Sequence, residues 1–115
     1  MTTPSPYAGS GAPPPLNVAI ELRGERLVIR IADYIDTATA ASLFTRLHTL
    51  ILTTRAAHVV IDLGGLDFCD AAGARALIRL CRTAPDHGVT CRLHHPRPHI
   101  RWLLRNFGAE HLIDI

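Results

Sequence analysis

The sequence has no lysine, little cysteine and no long apolar run. All twelve basic residues are arginine, scattered along the chain and set against ten acidic residues for a net charge of +2. No basic block is available to follow a phosphate backbone, so direct nucleic-acid binding is not expected. Cys69, Cys81 and Cys91 are odd in number, and their spacing matches neither a CxxC metal knuckle nor a secreted disulfide framework. A reducing, cytoplasmic setting is the expectation. Nothing approaches the roughly 18 apolar residues of a membrane span, and the N-terminus lacks a charged segment followed by an apolar one. Neither a membrane association nor export by a signal peptide is therefore expected. Gly64-Gly65 belongs to neither a GxGxxG nor a GxxxxGK[ST] framework, which leaves a loop bend rather than a phosphate cradle.

What is there is an ordinary globular mixture, 48% hydrophobic and 19% charged, and 115 residues suit one domain. Residues 1–15 concentrate Pro4, Pro6, Pro13, Pro14 and Pro15 among Ser, Thr, Gly and Ala. Such a stretch fixes backbone angles, lacks donors and has nothing to bury, so it is expected to be a flexible tail ahead of a domain over 16–115.

Val18, Ile20 and Leu22 alternate with Ala19, Glu21 and Arg23, and Leu27, Ile29 and Ile31 repeat the period of two. Gly24-Glu25 between them suits a two-residue type II′ turn and thus an antiparallel hairpin. Over residues 37–53 the period changes: Leu43, Leu47, Leu50 and Ile51 mark one face of an amphipathic helix, with Asp36 at its N-cap. Val59-Val60-Ile61-Asp62-Leu63 is β-branched without alternation, which predicts a central strand covered on both faces. Asp70 opens a second helix through Leu77, Ile78, Cys81 and Ala84, ending at Pro85 with His87-Gly88 as the turn. Val89, Cys91 and Leu93 alternate as a strand, and Ile100, Leu103, Leu104 and Phe107 mark a third helix capped by Gly108. Leu112 to Ile115 predicts a short terminal strand. The order implies an α/β fold: a mixed sheet of four to five strands, an N-terminal hairpin, parallel central strands and three main helices. Function in such sheets gathers where strands hand over to helices, here between Leu63 and Gly73.

That segment runs Val59-Val60-Ile61-Asp62-Leu63, Gly64-Gly65, Leu66-Asp67-Phe68, Cys69-Asp70-Ala71-Ala72-Gly73. It resembles the core signature of the STAS domain, the family of anti-sigma factor antagonists: a buried strand ending in Asp-Leu, an apolar-Asp-Phe loop, then Asp-Ser-Ser-Gly or Asp-Ser-Thr-Gly opening a helix. The resemblance extends over about residues 17 to 115, through the hairpin, the Asp36-led helix and the closing Phe-Gly. It implies a STAS-like fold and a regulatory role in transcription by partner switching. The implied partner is an anti-sigma factor of the serine-kinase type, and the implied partner-binding residues are Asp36, Asp70, Ala71, Ala72, Gly73 and Arg75. In the family, the hydroxyl residue before the glycine is phosphorylated by that kinase, which releases the antagonist. Here Ala72 occupies the acceptor position and Ala71 stands beside it, so neither offers an oxygen. Where the family has Gly-Glu-Leu-Asp, this chain reads Asp33-Tyr34-Ile35-Asp36 and keeps only the last residue. The implied reading is a binder without a phosphate switch, either constitutive or divergent.

The physics of that segment leaves an alternative open. A helix N-terminus carries unpaired N–H groups and a partial positive charge, so a small anion or nucleotide could sit there. The same residues also have a purely structural explanation, because Asp70 is a good N-cap and Ala71 and Ala72 are strong helix formers. Cys69 before a helix start is a nucleophile only if its thiol is acidified, and it lacks an evident base. No enzyme activity or cofactor is expected. His94, His95 and His99 lack a fourth ligand for a metal. Arg75, Arg79 and Arg82, and Arg97, Arg101 and Arg105, form basic stripes at helical spacing, read as solvated faces or as docking surfaces for an acidic partner. Trp102 beside the second stripe is an interface anchor if exposed.

Overall fold

The computed structural model describes residues 17–114. The proline-rich stretch 1–15 and Ile115 lie outside them. Strands β1 (Val18–Arg23) and β2 (Arg26–Ile31) form the expected hairpin, with Arg23 opposite Arg26 across two turn residues. Gly24 takes φ +60° and Glu25 does not follow it into positive φ, the II′ rather than the I′ pattern.

Next come β3 (Asp33–Ile35), α1 (Thr37–Thr53), β4 (His58–Asp62), β5 (Leu66–Cys69), α2 (Ala71–Thr83), β6 (Thr90–His94), α3 (Pro98–Asn106) and β7 (Ile113–Asp114). The main sheet has the order β1-β2-β4-β6-β7, antiparallel only at the hairpin and parallel elsewhere. Five strands, parallel centre and three helices agree with the pattern in the sequence. One face of the sheet, with Leu27, Ile29, Ile31, Val59, Ile61, Cys91 and Leu93, joins Leu43, Leu47 and Ile51 of α1 and Leu77 and Leu80 of α2 in a single core. α3 adds Ile100 and Leu104.

Three details differ from the reading of the sequence. β3 and β5 are strands of their own, paired in a second, two-stranded parallel sheet where only loop and cap were expected. They are too short for a period to show. α2 ends at Thr83, and Ala84–His87 continue as a 3₁₀ turn closed by Gly88 at φ +75°, because Pro85 has no N–H to donate into the α ladder. The central strand β4 is covered by the core on one face only. On the other, Val60 is 7% exposed in a shallow surface lined by Arg26, His58, Arg92 and His94, whose long side chains can shield it without a helical layer.

Candidate functional site

The small β3–β5 ladder builds the site. Tyr34 lies opposite Phe68 and Ile35 opposite Cys69 in parallel register, and each strand runs directly into a helix through one aspartate, Asp36 into α1 and Asp70 into α2. Two helix N-termini are thereby set side by side. Alternation sends Ile35 and Cys69 into the core and leaves Tyr34 49% and Phe68 52% exposed, an aromatic pair facing solvent.

Asp36 forms a capping box: its Oδ1 accepts from the Thr39 N–H at 3.1 Å, and the Thr39 Oγ1 accepts from the Asp36 N–H at 3.0 Å. Asp70 does more. Its Oδ1 accepts from the Gly73 N–H at 2.9 Å within α2, and its Oδ2 accepts from the N–H and hydroxyl of Thr37 on α1, at 2.9 and 3.1 Å. Partial burial pushes this carboxyl's pKa up, but the hydrogen bonds from Gly73, Thr37 and Ala72 outweigh burial and hold it below the ordinary 3.8. The Gly73 N–H at this terminus is thus already engaged by a carboxylate of the chain itself, whose charge would repel a small anion.

Gly73 is buried. A Cβ there would lie 2.8 Å from Cys69 Sγ and 2.9 Å from both Cγ2 and the carbonyl oxygen of Ile35, so glycine lets α2 rest against β3. Ala71 and Ala72 are half-buried on the rim of the site, with Ala72 packed against the core. Arg75 is exposed one turn on, its guanidinium 5.2 Å from the Phe107 ring centroid. The six residues singled out in the sequence therefore share one region, with Gly73 beneath it rather than on it.

Asp33 takes φ +69°, the left-handed region that glycine favours and Asp tolerates. Its N–H donates to Gly65 O at 3.0 Å and its Oδ2 accepts from Asn17 Nδ2 at 2.8 Å. This turn swings the chain out of the main sheet into β3.

The Cys69 thiol is pushed up to about 12, by burial first and then by the nearby Asp70 charge, so it is not poised as a nucleophile. His94 contacts Asp114 at 3.2 Å, His95 contacts Asp62 at 3.4 Å, and the His99 ring Nε2 meets the Asp67 carbonyl at 2.6 Å. Among the described residues no three ligating side chains converge on a metal position, and no helix is long and apolar enough to cross a membrane. Trp102 is 63% exposed, on α3 beside Arg105 and Glu110 rather than beside α2.

Sequence reasoning overlooked Tyr34, Phe68 and Thr37. The available signal was slight: each aromatic stands between an exposed aspartate and an apolar residue that the fold buries, Asp33 and Ile35 for Tyr34, Asp67 and Cys69 for Phe68, in a stretch of three or four residues.

A family model, that of the STAS domain, matches residues 17–115. Among solved structures, the chain is similar to the anti-sigma factor antagonist SpoIIAA in its unphosphorylated form, at 18% identity over 84% of this chain and 85% of that chain, TM-score 0.73. It is also similar to an anti-sigma factor antagonist from Mycobacterium paratuberculosis, at 18% identity over 89% and 86%, TM-score 0.70. A third is a variant of RsbS from Moorella thermoacetica, at 24% identity over 80% and 78%, TM-score 0.68. These likenesses show the fold. No curated protein matches the chain.

Proposed function

Because the chain belongs to the STAS domain family, we propose that it is a cytoplasmic regulatory module that binds an anti-sigma factor of the serine-kinase type through the paired helix N-termini. The observation that carries this reading is the exposed Tyr34–Phe68 pair held beside the Asp36 and Asp70 caps. Exposed aromatics on a rigid two-strand platform give a partner a contact that needs little ordering. In this reading Asp36, Ala71, Ala72 and Arg75, on the caps and first turns of the two helices, extend that contact, and Asp70 and Gly73 fix the spacing of the elements that carry it.

Control by phosphate is absent in this reading. A phosphoryl group would add nearly two negative charges at α2's first turn, yet Ala71 and Ala72 offer no hydroxyl to carry it. The chain then acts either as a constitutive binder or as one redirected to a divergent partner, consistent with the altered Asp33-Tyr34-Ile35-Asp36 element.

The test is calorimetric titration of the chain against each serine-kinase anti-sigma factor of the same genome. A complex with one of them supports the reading, and the absence of any complex contradicts it.

A further inference from the structure

The two arginine stripes have different surroundings. By α3, Arg97 pairs with Asp67 at 3.0 Å, and Arg101 and Arg105 share Glu110 at 3.7 and 3.3 Å. On α2, Arg75, Arg79 and Arg82 make no ion pair with any carboxylate among the described residues. The Arg79 guanidinium lies 4.3 Å from the Phe44 ring centroid on α1, and Arg75 lies over Phe107 after α3. A guanidinium laid on a ring face is held in place while its N–H edge stays free for a carboxylate fork.

Charge is segregated more widely. The three helices carry Arg46, Arg75, Arg79, Arg82, Arg101 and Arg105 and not one Asp or Glu, so all ten carboxylates lie outside them. Between α1 and α2 runs an apolar groove floored by Ala40, Ala72 and Ala76 and walled by Phe44, Arg75 and Arg79. A second depression, with Ile78 and Phe107, lies between Arg75 and Arg82 on the α3 side.

We propose that the exposed ridge of α2 is a docking surface for an acidic amphipathic helix of a protein partner. The partner's apolar residues enter the alanine-floored groove, and its carboxylates meet Arg75, Arg79 and Arg82. The arginines stand at i, i+4 and i+7, a span of roughly 11 Å or two helical turns, which carboxylates at the same spacing on a second helix can match. A phosphate backbone supplies the charge but no apolar side chain for the groove. A membrane surface is the poorer fit as well, because the aromatic rings here lie under guanidinium groups instead of projecting outward. The inference goes beyond the proposed function, sharing with it only α2's first turn, Ala72 and Arg75.

The experiment uses the ¹⁵N-labelled full chain. The probe is a designed helical peptide with leucines on one face and glutamates along both flanks, and the same peptide with lysines for glutamates is the control. Expected are amide shifts at Ala41, Phe44, Ala76 and Arg79 with the glutamate peptide and none with the lysine peptide. Arg79→Glu with Arg82→Glu should weaken binding about tenfold or more, and Arg92→Glu on the sheet's outer face should leave it unchanged. Shifts that are absent or confined elsewhere would overturn the inference, as would tighter binding of a short DNA duplex or of anionic lipid vesicles than of the glutamate peptide. The two readings separate cleanly. A complex with an anti-sigma factor formed by a chain that shows no shifts with the glutamate peptide overturns the α2 surface and leaves the proposed function standing. Peptide docking in a chain that binds no anti-sigma factor does the reverse.

Discussion

One oxygen of Asp70 accepts two hydrogen bonds from Thr37, at 2.9 Å from its N–H and 3.1 Å from its hydroxyl. Asp70 caps α2 while Thr37 begins α1, so a single carboxylate closes the first turns of two helices. The like partial charges of those turns would repel each other, and the carboxylate between them offsets that repulsion. The residue that looked like a simple N-cap is therefore also the tie that fixes the spacing of the candidate surface.

Replacing Asp70 by Ala should cost more than losing an isolated cap, which is about 1 kcal/mol, because the Thr37 donors lose their partner too. A loss of about 2 kcal/mol in urea unfolding is expected. The pH dependence has a definite sign. The native pKa is held below 3.8, so the stabilisation is fully present above the unfolded value and disappears as pH falls through the native one. Stability curves of wild type and Asp70→Asn should converge as the medium is acidified below that value. Parallel curves would contradict the tie.

Gly73→Ala should destabilise despite alanine's advantage of about 1 kcal/mol inside a helix. The new methyl would sit closer than 3.0 Å to Cys69 and Ile35, one of the contacts being a backbone carbonyl, and overpacking of this kind costs about 1–3 kcal/mol. Thermal unfolding checks it: a lowered Tm is expected, and a raised one would mean that α2 can shift away from β3 freely.

The thiols should be inert in the native state. Cys69 is pushed up to about 12 by burial and by Asp70. Cys81 is pushed up further by its 3.2 Å contact with the Cys91 thiol and by burial. A colorimetric thiol reagent at mildly alkaline pH should label none of the three quickly until denaturant is added, and then all three. Rapid labelling of Cys69 without denaturant would show a site more open than described.

Tyr34→Ala and Phe68→Ala should separate folding from binding. Both side chains are about half exposed, so stability should change by about 0.5 kcal/mol or less. The complex with the anti-sigma factor should weaken at least tenfold, as expected for exposed aromatic anchors. Unchanged affinity would place the contact elsewhere.

The main architecture was legible in the sequence because its periods are long enough to be unambiguous. Seventeen residues with Leu43, Leu47 and Ile51 on one side can only be a helix, and the hairpin declares itself by alternation on both sides of Gly24. Asp36 and Asp70 were legible as caps, since an aspartate before a helical pattern has a local reason to be there. What the sequence could not yield was pairing at a distance. β3 and β5 have three and four residues, too few for a period, and their partnership depends on a turn at Asp33 whose positive φ no pattern announces. Hence the Tyr34–Phe68 surface and the Asp70–Thr37 tie emerged only from the folded chain. The arginine stripes illustrate the same limit. Arg79 and Arg101 look alike in sequence, and only the fold shows that Glu110 serves one while no carboxylate among the described residues serves the other.

The measurement closest to the central claim is the affinity of the chain for its anti-sigma factor before and after incubation of the two with ATP, with the chain's mass recorded alongside. The account predicts one unchanged affinity and no added phosphoryl mass, while the Ala72→Ser variant gains that mass and dissociates. Release of the unmodified-sequence chain by ATP, with a phosphoryl group on any of its residues, would contradict it.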